Sequence, residues 1–269
     1  MLTDSGRETH SDKKIENQIV NEQFLNTLFI RLVAKNADLK NIDFRYCIFD
    51  TAYLRNCKFE DCDFTGCKFI NSNLSGSSFS GCKFDYATFE KTFIDDDILD
   101  VGCPGAENLK LKFARSLRTN YQQIGDAKAV NKAINIELRA TEEHLRKAWS
   151  SKESYYRKKY RGLNRLKISL EWLQFKTLDL VWGNGESTWK LFRAVGVLLI
   201  FIASFHTLKV GQPDSINSHI ESLMLSPQLL LGTLKPDEYD SSYLTLLYVI
   251  RLIMFGFFMS VIIKRFNRR

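Results

Sequence analysis

Residues 36–90 read NADLK NIDFR YCIFD TAYLR NCKFE DCDFT GCKFI NSNLS GSSFS GCKFD YATFE, eleven groups of five in one register. The fourth position is always Leu or Phe: Leu39, Phe44, Phe49, Leu54, Phe59, Phe64, Phe69, Leu74, Phe79, Phe84 and Phe89. The second is small almost throughout, from Ala37 through Cys47, Ala52, Cys57, Cys62, Cys67, Ser72, Ser77 and Cys82 to Ala87, with Ile42 the exception. Neither the 3.6-residue period of a helix nor the two-residue period of a flat strand divides into five. One large and one small inward site per five residues fits a square solenoid. Each pentad makes one side and one corner, and twenty-residue coils stack through backbone hydrogen bonds at ~4.8 Å.

This register resembles the pentapeptide-repeat family, whose consensus is A-(D/N)-L-x-x. The resemblance implies a right-handed quadrilateral β-helix, here just under three coils and roughly 14 Å tall. A solenoid needs caps at its open ends. The segment 15–33, with Ile19, Phe24, Leu25, Leu28, Phe29 and Leu32, is expected to cover one end as a short helix or irregular coil. The helices after Pro104 are expected to cover the other. Ahead of them, Met1 to Asp12 is polar, reads as a disordered tail and does not read as a signal peptide. Some pentapeptide solenoids are DNA mimics that bind topoisomerases, but that role needs a long, strongly acidic rod. Residues 37–90 carry eight acidic and six basic side chains, so a protein-contact or assembly module is the better expectation.

Five of the six cysteines fall on the small inward site, Cys47 above Cys67 and Cys62 above Cys82. The alternatives are a metal site, stacked disulfides, or thiols used as small hydrophobes in a tight core. No C-x-x-C pair occurs and the repeats hold no His, which favours the last. Unpaired thiols suit a reducing, cytosolic compartment.

After the repeats, Asp95-Asp96-Asp97 can either hold a cation or form a solvated edge with helix-terminal charge. Two helices are expected between Ala106 and Tyr160, with a break at Gly125 and a cap at Asp126. Their stripes are Leu109, Phe113, Leu117, Tyr121 and then Val130, Ile134, Leu138, Leu145, Trp149. Residues 144–193 hold twelve Lys or Arg against four acidic residues. Within them the run YYRKKYR at 155–161 suits either single-stranded nucleic acid or a membrane surface, and the apolar spans downstream favour the membrane. Leu163, Leu166, Leu170, Leu173, Thr177 and Leu180 then recur at alternating threes and fours, as an interfacial amphipathic helix or a packing helix would.

The last eighty residues contain two apolar spans. Tyr243 to Ile263 is twenty-one residues with one charge, Arg251. At ~1.5 Å per residue it matches the ~30 Å hydrocarbon core of a bilayer. The first span, Ala194 to Leu208, needs Leu191, Phe192 and a snorkelling Arg193 to reach that length. A buried helical hairpin in a soluble domain is the competing reading. The turn Gly183-Asn184-Gly185-Glu186-Ser187 can cradle a phosphate or redirect the chain into the bilayer, with Ser187 as N-cap. Between the spans, the loop 209–242 has two Lys and five acidic residues, while both flanks are basic. The positive-inside rule places both termini in the cytosol, across an inner (plasma) membrane.

Inside that loop Ile220 to Leu234 is apolar but too short to span, so it can be re-entrant. Span, short apolar loop with Gly, span: the chain here resembles the two-transmembrane, potassium-channel-like family. Some bacterial proteins join pentapeptide repeats to such a pair, and the Gly-Asn-Gly-Glu turn and the basic Arg-Phe-x-x-Arg end look like theirs. The resemblance implies a homo-oligomer, a tetramer around a central pore. The sequence departs from a potassium filter: the corresponding stretch is Leu230-Leu231-Gly232-Thr233-Leu234-Lys235, with one glycine. Arg251 either lines a pore or is structural, paired with a carbonyl or with Glu221. Arg251, Glu221, Leu231, Gly232 and Thr233 are therefore the pore and loop candidates. Gly183, Gly185, Glu186 and Ser187 are the membrane-entry candidates. His206 reads as interfacial.

The expected architecture is α+β and multidomain: tail and cap at 1–33, β-helix at 34–100, helical region at 105–181, two-span membrane domain at 182–269. The expected function is a channel-like pore with a cytosolic repeat module, the alternative a non-conducting membrane-anchored scaffold that recruits a protein partner. The expected partners are the lipid bilayer, further copies of the chain and a possible cytosolic protein, with nucleic acid disfavoured. The four His are scattered, so no catalytic, cofactor-binding or metal residue is assigned.

Overall fold

The computed structural model describes residues 6–16, 18–234 and 236–266. The chain forms two compact units, residues 1–169 and 170–269.

The first unit is a β-solenoid of twelve short strands. These are β1 (Glu8–Ser11), β2 (Lys14–Ile15), β3 (Gln18–Val20), β4 (Thr27–Ile30), β5 (Val33–Lys35), β6 (Asp38–Lys40), β7 (Ile48–Asp50), β8 (Tyr53–Arg55), β9 (Lys58–Glu60), β10 (Lys68–Ile70), β11 (Ser78–Ser80) and β12 (Thr88–Glu90). One side is the parallel sheet β1-β4-β7-β10-β12, the next β2-β5-β8 and the third β3-β6-β9-β11. Single bridges Gln23–Asp43–Asp63–Lys83 make the fourth.

The corners carry the backbone cost. From Asn21 to Lys91 every fifth residue has positive φ, including Asn36, Asn41, Asn56, Asp61, Gly66, Asn71 and Gly76. Asn, Asp and Gly tolerate that left-handed conformation best, which accounts for their frequency at the first position of the pentads. Tyr46 and Thr51 also adopt it, held there by hydrogen bonds from Tyr46 N to Thr65 O and from Thr51 N to Ile70 O in the coil above.

Five strands in the long sheet make four steps, so there are about four coils rather than just under three. The expected N-terminal cap at 15–33 is instead strand and corner of the same solenoid, and Glu8–Ser11, expected as tail, is its first strand. Two features concealed this coil. Its large inward sites hold His10, Ile15 and Ile19 instead of Leu or Phe. The pairing offset is nineteen residues at Glu8↔Thr27 and Lys14↔Val33, against twenty from Gln18↔Asp38 onward, so the register slips by one. Residues 1–5 lie outside the described part of the chain.

Twenty-residue stacking aligns the phenylalanines. Phe29, Phe49, Phe69 and Phe89 stack at centroid separations of 5.2, 4.9 and 5.0 Å. Phe24, Phe44, Phe64 and Phe84 form a second column. Neighbouring columns meet edge to face, as at Phe59 and Phe64, the favoured arrangement for aromatic quadrupoles. The small site has its own rule. Cys47, Cys67, Ser72 and Ser77 donate to the carbonyls of Phe24, Phe44, Phe49 and Leu54, each twenty-three residues earlier, at 2.7, 2.8, 3.1 and 2.6 Å. All six cysteines are free thiols. Burial pushes Cys47 up to about 11 and Cys67 well above the usual thiol range, so both stay protonated and unreactive.

The upper end is closed by helices. A short α1 (Ile98–Val101) leads to α2 (Glu107–Ile124), then α3 (Ala127–Ser150) and α4 (Ser154–Lys159). Gly125 ends α2 with positive φ, and Asp126 caps α3 through Ala129 N. Ser116, Asn120 and Gln123 lie on one face of α2 and satisfy the last coil's open backbone. Phe89 N donates to Ser116 Oγ at 3.0 Å and Lys91 N to Gln123 Oε1 at 2.9 Å. Buried Asn120 bridges both backbone groups of Thr92, at 2.7 Å each. The solenoid core runs on into Phe113, Leu117, Tyr121, Val130 and Ile134, so the boundary expected between 100 and 105 lies within one continuous core. The Asp triplet is engaged in this junction: Asp95 accepts from Gly76 N, and Asp96 faces Lys128 and Lys132.

In the second unit, α5 (Leu163–Trp182) begins in the first unit and ends in a 3-10 turn, Gly183–Gly185. Then follow α6 (Thr188–Lys209), α7 (Ile216–Leu231) and α8 (Ser241–Phe266). The region expected at 105–181 is thus divided between the two units.

Replacing Asn120 by Leu removes the Thr92 bridge and leaves a buried N–H and C=O unsatisfied. The full-length protein should lose about 2–4 kcal/mol of solenoid stability, read as a lower denaturation midpoint of the strand signal in circular dichroism.

Candidate functional site: the apolar helical unit

The residues around α6, α7 and α8 hold the sequence-predicted site. Thr188–Lys209 and Ser241–Lys264 are long and apolar enough to cross a membrane, by length and composition. Few of their residues are buried by the chain itself: Trp189, Phe201, Tyr248, Leu252 and Phe255 are exposed. A helical hairpin of a soluble domain buries such side chains, so an apolar surface of this extent calls for lipid or further protein.

The entry turn is a built structure. Gly183, Asn184 and Gly185 all have positive φ, and a Cβ on Gly183 would lie 2.8 Å from that of Ser187. Ser187 Oγ accepts from Lys190 N at 3.2 Å and starts α6. Lys190 pairs with Asp179 at 2.8 Å, and Arg193 donates to Leu180 O at 2.6 Å. Arg193 therefore caps α5 rather than snorkelling. Trp182 stacks on Phe257 of α8 at 4.4 Å. Lys264 approaches Glu186 at 3.8 Å and lies over the Trp182 ring. Gly183 and Gly185 are buried, and a carboxylate stands beside them, an unsuitable place for a phosphate.

α7 packs along α6 through small and polar residues. Thr207 Oγ1 donates to Ser222 Oγ at 2.8 Å, both fully buried. Small side chains let helix backbones approach, the usual device where lipid surrounds the helices. Pro227 lacks the N–H that would bond Leu223 O, and Ser226 Oγ donates to that carbonyl instead at 2.8 Å. His206, expected at the interface, is buried, with Nδ1 2.6 Å from Tyr239 Oη. Burial first, then Tyr243 and Glu238 nearby, push the Tyr239 phenol up to about 12.

The structure brings Arg251 to Leu231 and Gly232. Its guanidinium donates to the Leu231 carbonyl, lies against Gly232 and sits 4.7 Å from the Tyr248 ring centroid. Of the two structural pairings open from sequence, the carbonyl is the one formed. Glu221 lies ten residues back along α7, ~15 Å from that contact by helical rise, and is exposed. Thr233 folds back, its N and Oγ1 both bonding Gln228 O at 3.0 and 3.2 Å. Residues 230–234 thus form a helix C-cap in which Leu231 O is taken by Arg251 and Thr233 turns back onto Gln228 O, unlike a row of filter carbonyls. Lys235 lies outside the described residues. Two cavities flank Arg251. One, of about 360 Å³, is lined by Leu230, Gly232, Leu244 and Tyr248. The other, of about 230 Å³, is apolar and lined by Leu191, Val195, Met254 and Phe258.

In the first unit the aromatic-basic run is absorbed by packing only in part, with Tyr155, Lys158, Lys159 and Arg161 exposed. Tyr156 is buried, and His144 ring nitrogens meet the Tyr156 and Tyr160 hydroxyls at 3.3 and 3.2 Å. Arg157 donates to Ala148 O. Among the described residues no group of three or more His, Cys, Asp or Glu is placed to hold a metal ion.

A family model of the SV2A/B/C luminal domain matches residues 4–89, which overlap the solenoid. Among solved structures, a pentapeptide repeat protein, Rfr23, from the cyanobacterium Cyanothece 51142 is 17% identical and covers 31% of this chain and 71% of its own, with a TM-score of 0.30. A pentapeptide repeat protein from the Arabidopsis thaliana thylakoid lumen is 22% identical, covering 35% and 75%, with a TM-score of 0.17. QnrB1, a plasmid-mediated fluoroquinolone resistance protein, is 19% identical, covering 28% of this chain and 46% of its own, with a TM-score of 0.18. No curated protein matches. The five-residue repeats and the observed coils make residues 8–93 a pentapeptide-repeat solenoid.

Gly183→Ala places a methyl group in a left-handed backbone against Ser187. A loss of about 1–2 kcal/mol is expected from the backbone alone, measured as a lower melting temperature of the detergent-solubilised protein.

Proposed function

We propose that this chain is an integral membrane protein of two spans whose α6–α7–α8 unit assembles into a homo-oligomeric, channel-like pore. The carrying observation is α7. It is sixteen residues long, too short to cross a bilayer, packs along one apolar helix, and has its end fixed by an arginine from the middle of the other. This supports a re-entrant helix between two spans and the likeness to two-transmembrane, potassium-channel-like proteins, with a tetramer as the favoured assembly. Potassium selectivity is not part of the proposal, because the stretch 230–234 is a helix cap with one glycine and its Leu231 carbonyl is already bonded. Arg251 would set the field at the re-entrant end and disfavour cations. The solenoid serves as an assembly, gating or partner-binding module, and no catalytic role is proposed.

Flux through liposomes holding the full-length protein tests this. A potassium chloride gradient should give a current whose reversal potential shifts toward cation selectivity in Arg251→Leu. Silence of both proteins, with a monomeric mass in detergent, would leave the membrane-anchored scaffold.

We further propose that both termini face the cytosol of a bacterial inner membrane. The acidic loop 209–242, the basic flanks and the free solenoid thiols support this orientation. A likeness to a domain described as luminal supports the reverse. Asp214→Cys in intact cells should react with a membrane-impermeant maleimide, whereas labelling only after lysis would invert the topology.

A further inference from the structure

Helix α5 carries an exposed row of leucines. Leu163, Leu166, Leu170, Leu173 and Leu180 are between 55% and 85% exposed, with Thr177 completing their row. The spacing is 3, 4, 3, 4, 3, a strict 3.5-residue period over nearly three heptads, with Leu166, Leu173 and Leu180 at every d position. A helix resting on lipid needs a strongly charged opposite face. The opposite side of α5 mixes half-buried Ile168, Trp172, Phe175 and Trp182 with Arg165, Glu171 and Asp179, and it is engaged by the chain itself: Arg165 donates to Trp149 O, Asp179 pairs with Lys190 and Trp182 stacks on Phe257. A side already engaged by protein is not free to face water above a lipid surface, which leaves the leucine row for a second protein surface.

We propose that this leucine row is a coiled-coil seam with a second copy of the chain, the two α5 helices parallel and in register. Flanking residues permit that pairing: Lys167 would face Gly162, Gln174 would face Ser169, and Lys176 would face Val181, so no like charges oppose. Every copy delivers its chain to the same membrane face through the turn after Trp182, which favours parallel helices. The proposal rests on the homo-oligomeric reading above and names its contact outside the spans.

The test is cysteine cross-linking of full-length protein in nanodiscs under mild oxidation. A disulfide requires Cα atoms within about 7 Å, a distance that in-register d positions reach. Leu166→Cys and Leu173→Cys should each give a covalent dimer, whereas Asn164→Cys, on the far side of the helix, and the unsubstituted protein should not. The double variant L166Q/L173Q should remain in the membrane fraction and shift to lower mass. An oligomer that forms no cross-link at 166 or 173, or whose mass the double variant leaves unchanged, overturns the seam and leaves the pore reading intact. A monomeric unsubstituted protein in nanodiscs overturns both.

Discussion

A left-handed corner every five residues is the constraint on which the first unit of this molecule depends. Each corner turns the chain by one side of a square, and four corners return it to the same side one coil higher. The backbone of each coil then bonds the next, from Asn21 N–Lys40 O up to Leu74 N–Phe93 O. Because twenty residues separate equivalent positions, identical side chains fall on top of one another, and the phenylalanine columns follow. Cysteine and serine share the small site because both are compact and both can donate to the carbonyl twenty-three residues earlier. The thiols are structural for that reason, and burial holds Cys47 and Cys67 protonated.

A stack of this kind has no intrinsic end, and its last coil presents unpaired N–H and C=O groups. Here α2 supplies side chains at the helical spacing of 116, 120 and 123, matched to the backbone of 89–92. Helix period and coil geometry coincide over this short stretch, and the aromatic core then continues into α2 and α3. The solenoid and the helical hairpin are accordingly one folding unit.

The second unit is governed by a different balance. Its apolar helices leave most of their surface uncovered by the chain, while their few polar groups are paired with care: Thr207 with Ser222, His206 with Tyr239, Arg251 with the Leu231 carbonyl. Polar groups satisfied inside and apolar groups presented outside are the requirements of a helical unit in lipid. Arg251 also shows why a charge can be retained in so apolar a helix. It bonds Leu231 O, the last carbonyl of α7.

The five-residue period by itself determined the solenoid, its inward sites and the placement of the cysteines, because stacking forces one residue type into one position. Gly125, Asp126 and Ser187 were equally legible as helix punctuation, since capping is local. The first coil was not, because its inward sites depart from Leu and Phe and its register slips by one residue. The occupant of the Arg251 side chain was likewise undecided, as a carbonyl twenty residues away leaves no trace in composition. Only the tertiary structure showed that residues 230–234 are a helix cap with the Leu231 carbonyl engaged by Arg251, that Trp182 packs inward on Phe257, and that the leucine row of α5 is exposed. These are outcomes of packing between distant segments, whereas the period, the caps and the apolar spans are properties of neighbouring residues.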